Sequence, residues 1–541
     1  MGIPEQSTAQ YMGVNTDSIE HKFHLARTVF SLSTIAICAK VFGLAEKFVI
    51  AHFFGTGDTA DVYFASTGII LSIVWLVREL MYPSLLPVFA GTLSKSVSAS
   101  GNLFRKAFLS TVGFLAIAAV ILVVFAGFVT AILVPGFSES KRQVISNLLR
   151  MLAPAVLFLG LAMVTYTALN ARKRFLKAAC PEAALKLFIV AGLIMLVPVL
   201  GIYALAVVMS LGALGCLLAQ LYFIPERRFL LKCAGNADDD GHFRKVLLLM
   251  GPLVVGVVFS RISGLVDNLL ASMLPSGQLS YLGYSKKLID AILLIGPVAV
   301  VTVVYSHLSH LASAKAYEEF TSLVIKTFRL LVYLTVPVAC LLIGLKQPLI
   351  RFLFQHGQFG ADSTFGTSQA FMVYAFGLVT FSLETLFSHS FFALSDTKTP
   401  VKFGVLCVFL DIGLAILLLK PFGYLGIAGS FVISRTVKIT ILAAILNKRL
   451  KGLFDVGIMV FSAKLAVTTC AVWLTLKLLL GIHNPDSFYH TAVFDLILPG
   501  IGALLVFVLC SHLFRISEFK AALSLLRFRK AAVSTLYGEA K

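Results

Sequence analysis

The chain has 541 residues, of which 58% are hydrophobic and only 13% charged, against about a quarter charged in ordinary soluble domains. With a mean hydropathy of +0.93, it carries more apolar surface than a soluble fold can hide, because surface-to-volume scaling demands a polar exterior. A formal charge of +19 would point to nucleic acid in a soluble protein; here most of the basic residues lie in short loops between apolar runs, which removes nucleic acid as a partner and makes the charge a topology signal.

Residues 1–24 are polar and do not form a signal peptide, so 1–27 reads as a cytoplasmic segment. About fourteen apolar runs follow, at 28–52, 62–89, 107–134, 146–169, 178–199, 202–224, 246–273, 280–311, 321–345, 366–394, 401–419, 423–446, 458–481 and 491–514. Each can cross a bilayer, since about 20 residues span the hydrocarbon core. The runs are continuous rather than alternating, which predicts helices and excludes a β-barrel. The stretch 349–355 is too short to cross and reads as re-entrant or interfacial. The fold class is therefore an all-α membrane protein.

An even number of crossings puts both termini on one side. Even-numbered connections carry roughly 18 Lys and Arg and odd-numbered ones about 5, which predicts cytoplasmic termini in a bacterial inner membrane. The basic tail 515–541 agrees. No CxxC spacing, P-loop or nucleophile motif appears, no soluble stretch could hold a catalytic domain, and no cofactor or metal site is expected. His307 and His310 share a helix face but lack a third metal ligand in sequence. The acidic Asp238, Asp239 and Asp240 read as a solvated linker.

An internal repeat is visible. Lys40-Val-Phe-Gly-Leu-Ala-Glu46 in the first span matches Arg261-Ile-Ser-Gly-Leu-Val-Asp267 in the seventh, with cation, Gly-Leu and carboxylate at the same spacing and a glycine-containing break after each. Both spans run in the same direction, which predicts two parallel six-helix lobes: 28–224 and 246–446, joined by a linker at 225–245 and followed by a helix pair at 447–514.

Charges inside the spans are costly and are functional hypotheses by default. Lys40, Lys47, Arg78, Arg261 and Lys287 are candidate cavity cations; Glu46, Asp61, Asp267 and Asp290 are candidate gating or ion-coupling acids. Glu182 and Lys186, at i,i+4, are expected to neutralise each other. The surplus of cations asks for an anion, and a phosphate or pyrophosphate suits Lys and Arg.

Several segments resemble the MurJ/MviN family of lipid II flippases. They are Phe391-Phe-Ala-Leu-Ser-Asp-Thr-Lys-Thr-Pro-Val-Lys402, Leu353-Phe-Gln-His-Gly-Gln-Phe359, Met250-Gly-Pro252, and the run from Val41-Phe-Gly43 to Asp61. The resemblance covers about residues 30–450. It implies a transporter rather than an enzyme, a V-shaped pair of lobes around a cationic cavity, and alternating access that moves an undecaprenyl-pyrophosphate-linked glycan, lipid II first, to the periplasmic leaflet. Its implied partners are that lipid, the bilayer and cell-wall synthesis proteins. The family's first-span arginine falls on Lys40, its next arginine–aspartate pair on Glu46-Lys47 in reversed order, its second-span acid on Asp61, and its eighth-span acid–arginine pair on Lys286-Lys287. Arg78 lies about one turn from the family's second-span arginine, and Arg261 is additional. These Lys-for-Arg exchanges leave open a flippase for another polyprenyl-linked oligosaccharide, or a transport-dead scaffold of cell-wall synthesis. A drug/cation antiporter ranks low, because its cavity should be acidic.

Overall fold

The structure, a computed structural model, describes residues 16–93, 96–230, 241–450, 456–481 and 490–519. The chain before residue 16, the acidic Asp238, Asp239 and Asp240 of the linker, and the basic tail beyond 519 lie outside the described residues.

The first half comprises α1 (Thr16–Phe54), α2 (Asp58–Leu93), α3 (Val97–Val124), α4 (Ala126–Leu133), α5 (Glu139–Ala171), α6 (Phe175–Leu200) and α7 (Ala204–Phe223). The second comprises α8 (His242–Ser272), α9 (Gln278–Ile295), α10 (Pro297–Ser313), α11 (Tyr317–Gly344), α12 (Lys346–Phe354), α13 (Ala361–Phe376), α14 (Leu378–Ala393), α15 (Lys398–Phe422) and α16 (Tyr424–Leu450). Then come α17 (Val456–Gly481) and α18 (His490–Leu513), which pack on each other and against α11 and α12 respectively. Eleven stretches are long and apolar enough to cross a membrane, or twelve when α9 and α10, bent by 41° at Gly296-Pro297, count as one. The longest of them, 175–223, folds back on itself: Gly192 lies against Val208 and Gly212 against Phe188, an antiparallel hairpin and thus two passes. With the charge-bearing α1, this is consistent with the fourteen crossings expected.

The repeat predicted from seven residues extends through the whole architecture. In the first half α1 packs on α6, α2 on α5, α3 on α5, α5 on α7 and α6 on α7; in the second α8 packs on α15, α9 and α10 on α13 and α14, α11 on α14, α13 and α14 on α16, and α15 on α16. α3 and α11 are both 28 residues long. The turns repeat as well. Gly201 ends α6 with φ 56° and ψ −138°, and Gly423 ends α15 with φ 56° and ψ −133°. Lys173 (φ 58°) and Ser395 (φ 60°) hold matching left-handed positions after α5 and α14. In the loop that carries the strongest family resemblance, Asp396 accepts bonds from the Thr399 amide (3.0 Å) and hydroxyl (2.7 Å) and pairs with Arg449 at 2.7 Å, capping the first turn of α15 and tying it to the end of α16.

The expected third span, 107–134, needs correction. The helix ends at Val124, and the 8-residue α4 follows as a separate piece. Its counterpart is the 9-residue α12 after α11, the segment read from sequence as re-entrant. Each lobe thus carries one short helix between its third and fourth passes.

The outer surface of the bundle is apolar, with Val199 78% and Met195 74% exposed, as expected of helices solvated by lipid. The positive-φ turns permit a local test. Gly201→Ala and Gly423→Ala should each lower the melting temperature of the purified protein by the equivalent of about 1–3 kcal/mol. A Cβ added at Gly201 would meet no atom within 4 Å, so backbone strain alone is being measured there; an unchanged melting temperature would mean the turn relaxes freely.

Candidate functional site

The two lobes meet along α2 and α8 and at one end, the end bearing the α1–α2 turn, which the loop-charge pattern assigns to the outer side. There the Gln358 amide donates to the His52 carbonyl (2.9 Å), and the symmetry-related Gly136 amide donates to Ser272 Oγ (3.2 Å). Neither contact tolerates bulk: a Cβ on Gly55 would lie 2.4 Å from the Gln358 carbonyl, and one on Gly136 2.5 Å from the Ser272 carbonyl. Tyr284 donates to the Gly55 carbonyl (2.9 Å), Ser280 Oγ to the Thr56 carbonyl (3.1 Å), and the Thr56 and Ser363 hydroxyls lie 2.6 Å apart. Asp61, buried at the start of α2, accepts from the amides of Gly277 (2.7 Å) and Ser280 (2.9 Å) at the buried N-terminus of α9. A carboxylate is favoured there by both the unpaired amides and the helix dipole. Asp58 adds an ion pair with Lys141 and a bond from Ser276.

Below this seal lies a layer of charge. At 1.5 Å rise per residue, Lys40 sits roughly 21 Å down α1 from its outer end. It is exposed, makes no ion pair among the described residues, and lies within electrostatic reach of Lys287, Arg78, Asp290 and Lys186. Lys287 and Asp290 are each about half exposed and only loosely paired, at 4.0 Å. Arg78 is held between the rings of Trp75 (4.9 Å) and Tyr166 (5.4 Å), with Glu182 at 3.8 Å.

Two expected cavity cations are already neutralised. Lys47 is buried, pairs with Glu46 at 2.8 Å and contacts the Tyr63 hydroxyl, which itself bonds Glu46. Arg261 pairs with Glu79 across the lobes, where α2 and α8 run together and Asn268 fills the space beside Gly68. The expected Glu182–Lys186 pair does not form: Glu182 turns to Arg78 on α2, and Lys186 reaches Glu46 on α1 at 3.4 Å. Tertiary partners outcompete the i,i+4 neighbour because that pair is worth only about 0.2–0.5 kcal/mol. Lys186, not singled out by sequence, thereby joins the layer. Lys40, Lys47, Arg78, Lys186 and Lys287 face Glu46, Glu182 and Asp290, a formal surplus of two positive charges.

The second lobe holds a separate network. Glu384 on α14 binds Arg435 (2.8 Å) and Lys438 (2.6 Å) of α16; Ser263 on α8 donates to Asp411 on α15 (2.8 Å), whose other oxygen is buried without a partner. Asp267 lies within electrostatic reach of Asp411, Lys286 and Arg435. Glu384, Arg435, Lys438 and Asp411 were missed from sequence because their partners lie on other helices.

Two pseudo-symmetric lobes, sealed together at one end around exposed membrane-depth charge, define the architecture of a two-lobed membrane transporter. The overall fold is that of a solved structure described as lipid II flippase MurJ in an inward closed conformation (TM-score 0.75, 21% identity, covering 90% of this chain and 98% of that one), and of an inward-facing multidrug resistance MATE transporter of the MOP superfamily (TM-score 0.67, 12% identity, 77% and 95%). The family described as lipid II flippase MurJ matches residues 50–497, and the chain belongs to it. Among its relatives, proteins named "Probable lipid II flippase MurJ" from Haemophilus influenzae and Thermotoga maritima are each 27% identical, over 80% and 91% of this chain and 87% and 97% of their own. It is a multi-pass protein of the bacterial inner membrane and a transporter, not an enzyme.

The geometry separates the two kinds of lysine. Lys47→Met should destabilise the purified protein by about 3–5 kcal/mol, because it strands buried Glu46. Lys40→Ala should leave the melting temperature within about 0.5 kcal/mol equivalent, as an exposed position does, and remove transport instead. The opposite assignment in a paired thermal-melt and transport assay would overturn this division.

Proposed function

We propose that the chain carries lipid II from the cytoplasmic to the periplasmic leaflet, and that Lys40, Lys287 and Arg78, with Lys186, receive its pyrophosphate. The observation that carries this reading is the surplus of two positive charges in the mid-membrane layer beneath a closed outer end. A pyrophosphate diester brings one negative charge on each phosphate, which matches that surplus. Lysines hold such a group as point charges, while Arg78 is preoriented by its two flanking rings.

Entry is lateral. On one side α2 and α8 are packed along much of their length and locked by Glu79 and Arg261; on the symmetry-related side α1 approaches α9 chiefly near the outer end, and Lys40 is exposed. A lipid entering by the α1 side can keep its polyprenyl chain in the bilayer while its headgroup reaches the cation layer. Both termini then lie on the cytoplasmic side, a reading supported by the loop charges and the even number of passes.

Release requires the outer seal to part, which strips Asp61 of two amide donors. Binding energy at the cation layer, gained as the lobes close around the headgroup, offsets that loss. Asp267 and Asp411, two acids close together in the second lobe, are the candidates for coupling the cycle to a cation or proton.

Complementation tests the function. In a strain depleted of its own lipid II flippase, the wild-type chain should restore growth, whereas Lys40→Ala and Lys287→Ala should not. Rescue by both variants would remove the charge layer from the mechanism, and failure of the wild type would point to a different lipid-linked glycan. The seal has its own test. Thr56→Cys with Ser363→Cys places two thiols across the lobes; oxidant should stop lipid II export and reductant should restore it. Undiminished export by the crosslinked protein would show that the outer end need not open.

A further inference from the structure

The inner half of the eighth pass, α10, has an exposed face unlike that of the lipid-facing helices. Its packed side, including Val301 and Leu308, lies in the second-lobe core with α11, α14 and α16. At 100° per residue, Thr302, Ser306, Ser309, His310 and Ser313 fall within an arc of roughly 100° on the other side. Thr302, Ser306, His310 and Ser313 are exposed, with Val303 exposed at the edge of the arc. On α15, whose first turn lies at the same inner end, the side chains exposed at matching depths are, Lys398 and Lys402 apart, apolar: Val401, Leu406 and Phe409. A helix face solvated by lipid is apolar, so a polar one at comparable depth belongs to the water-filled cleft. The stripe lies on the inner side of Lys287 and Asp290, which are exposed on the preceding helix of the same pass.

The equivalent part of the other lobe, the inner half of α2, exposes Trp75, Pro83, Pro87 and Ala90 instead. The lobes share a fold but not this chemistry, so the stripe is no requirement of the architecture. Thr302 and Ser306 already donate to the Val298 and Val303 carbonyls (2.8 Å each), which leaves their oxygen lone pairs directed outward as acceptors. The ring nitrogens of His310 bond no described residue and add a donor and an acceptor.

We propose that Thr302, Ser306 and His310 form a specificity surface for the uncharged part of the lipid head, hydrogen-bonding its sugar hydroxyls and amide groups while the cation layer above holds the pyrophosphate. This inference rests on the lipid II reading and adds to it: the phosphate site recognises any polyprenyl pyrophosphate, and α10 recognises what is attached.

Binding of two probes to the purified full-length protein, measured by native mass spectrometry, separates the two contributions. The probes are lipid II and undecaprenyl pyrophosphate, which lacks sugar and peptide. Thr302→Val/Ser306→Ala/His310→Leu should weaken lipid II binding about tenfold or more, the loss of two or three hydrogen bonds, and leave undecaprenyl pyrophosphate within about twofold. Lys40→Ala should weaken both. His310→Gln, which keeps a donor and an acceptor, should bind lipid II like the wild type. An unchanged affinity of the triple variant for lipid II, or an equal loss for both probes, would overturn the role of α10. A wild-type protein that binds neither probe would overturn the flippase reading and this inference with it.

Discussion

A charge inside a membrane must be paired or must face water, and the arrangement of this protein follows from that constraint. Buried Glu46 and Lys47 satisfy it by pairing, with Tyr63 completing the set. Arg261 and Glu79 satisfy it across the lobe interface, Glu384 with Arg435 and Lys438 within one lobe. Lys40 is left exposed, and Lys287 keeps only a loose partner, so both require an aqueous cleft. The same rule that locks the helices together therefore marks the place where we propose that a hydrated anionic headgroup is received.

The pseudo-symmetry of the lobes supplies the mechanics, and its violations supply the chemistry. Matching turns at Gly201 and Gly423, and matching short helices α4 and α12, give two similarly built lobes, which on the proposed mechanism rock about their shared seam. Symmetry is broken where function needs it. One lateral seam, α2 with α8, is closed by an ion pair, and the other is not. The exposed cations Lys40 and Lys287 come one from each lobe, whereas Glu384, Arg435 and Lys438 form a self-compensating network within the second. A symmetric pair of lobes would offer a lipid two equivalent lateral entrances.

Much of the fold could be read from the sequence because lipid solvation writes it in apolar runs. The repeat could be read at Lys40 to Glu46 and Arg261 to Asp267 because the motif is both charged and mid-span. The break between α3 and α4 could not, since 107–134 reads as one apolar run and the helix ends at Val124 with no proline, Gly127 being its one local signal; a matching break precedes α12. In the site, residue identities were legible but partners were not. Glu182 and Lys186 looked like a local pair and proved to bind Arg78 and Glu46 on other helices. Lys47 looked available and is sealed. Glu384 left no local signal, because its partners lie 51 and 54 residues away. Helix periodicity assigns faces, but which faces meet depends on packing between helices distant in sequence.

The most direct measurement is a structure of the full chain with lipid II bound in the cleft, its phosphorus atoms located at high resolution. The account requires both phosphates among Lys40, Lys287, Arg78 and Lys186, with the Glu46–Lys47 pair intact beside them. Phosphates lodged against Arg261 or the Glu384 network, or Lys47 freed from Glu46 to bind them, would contradict it.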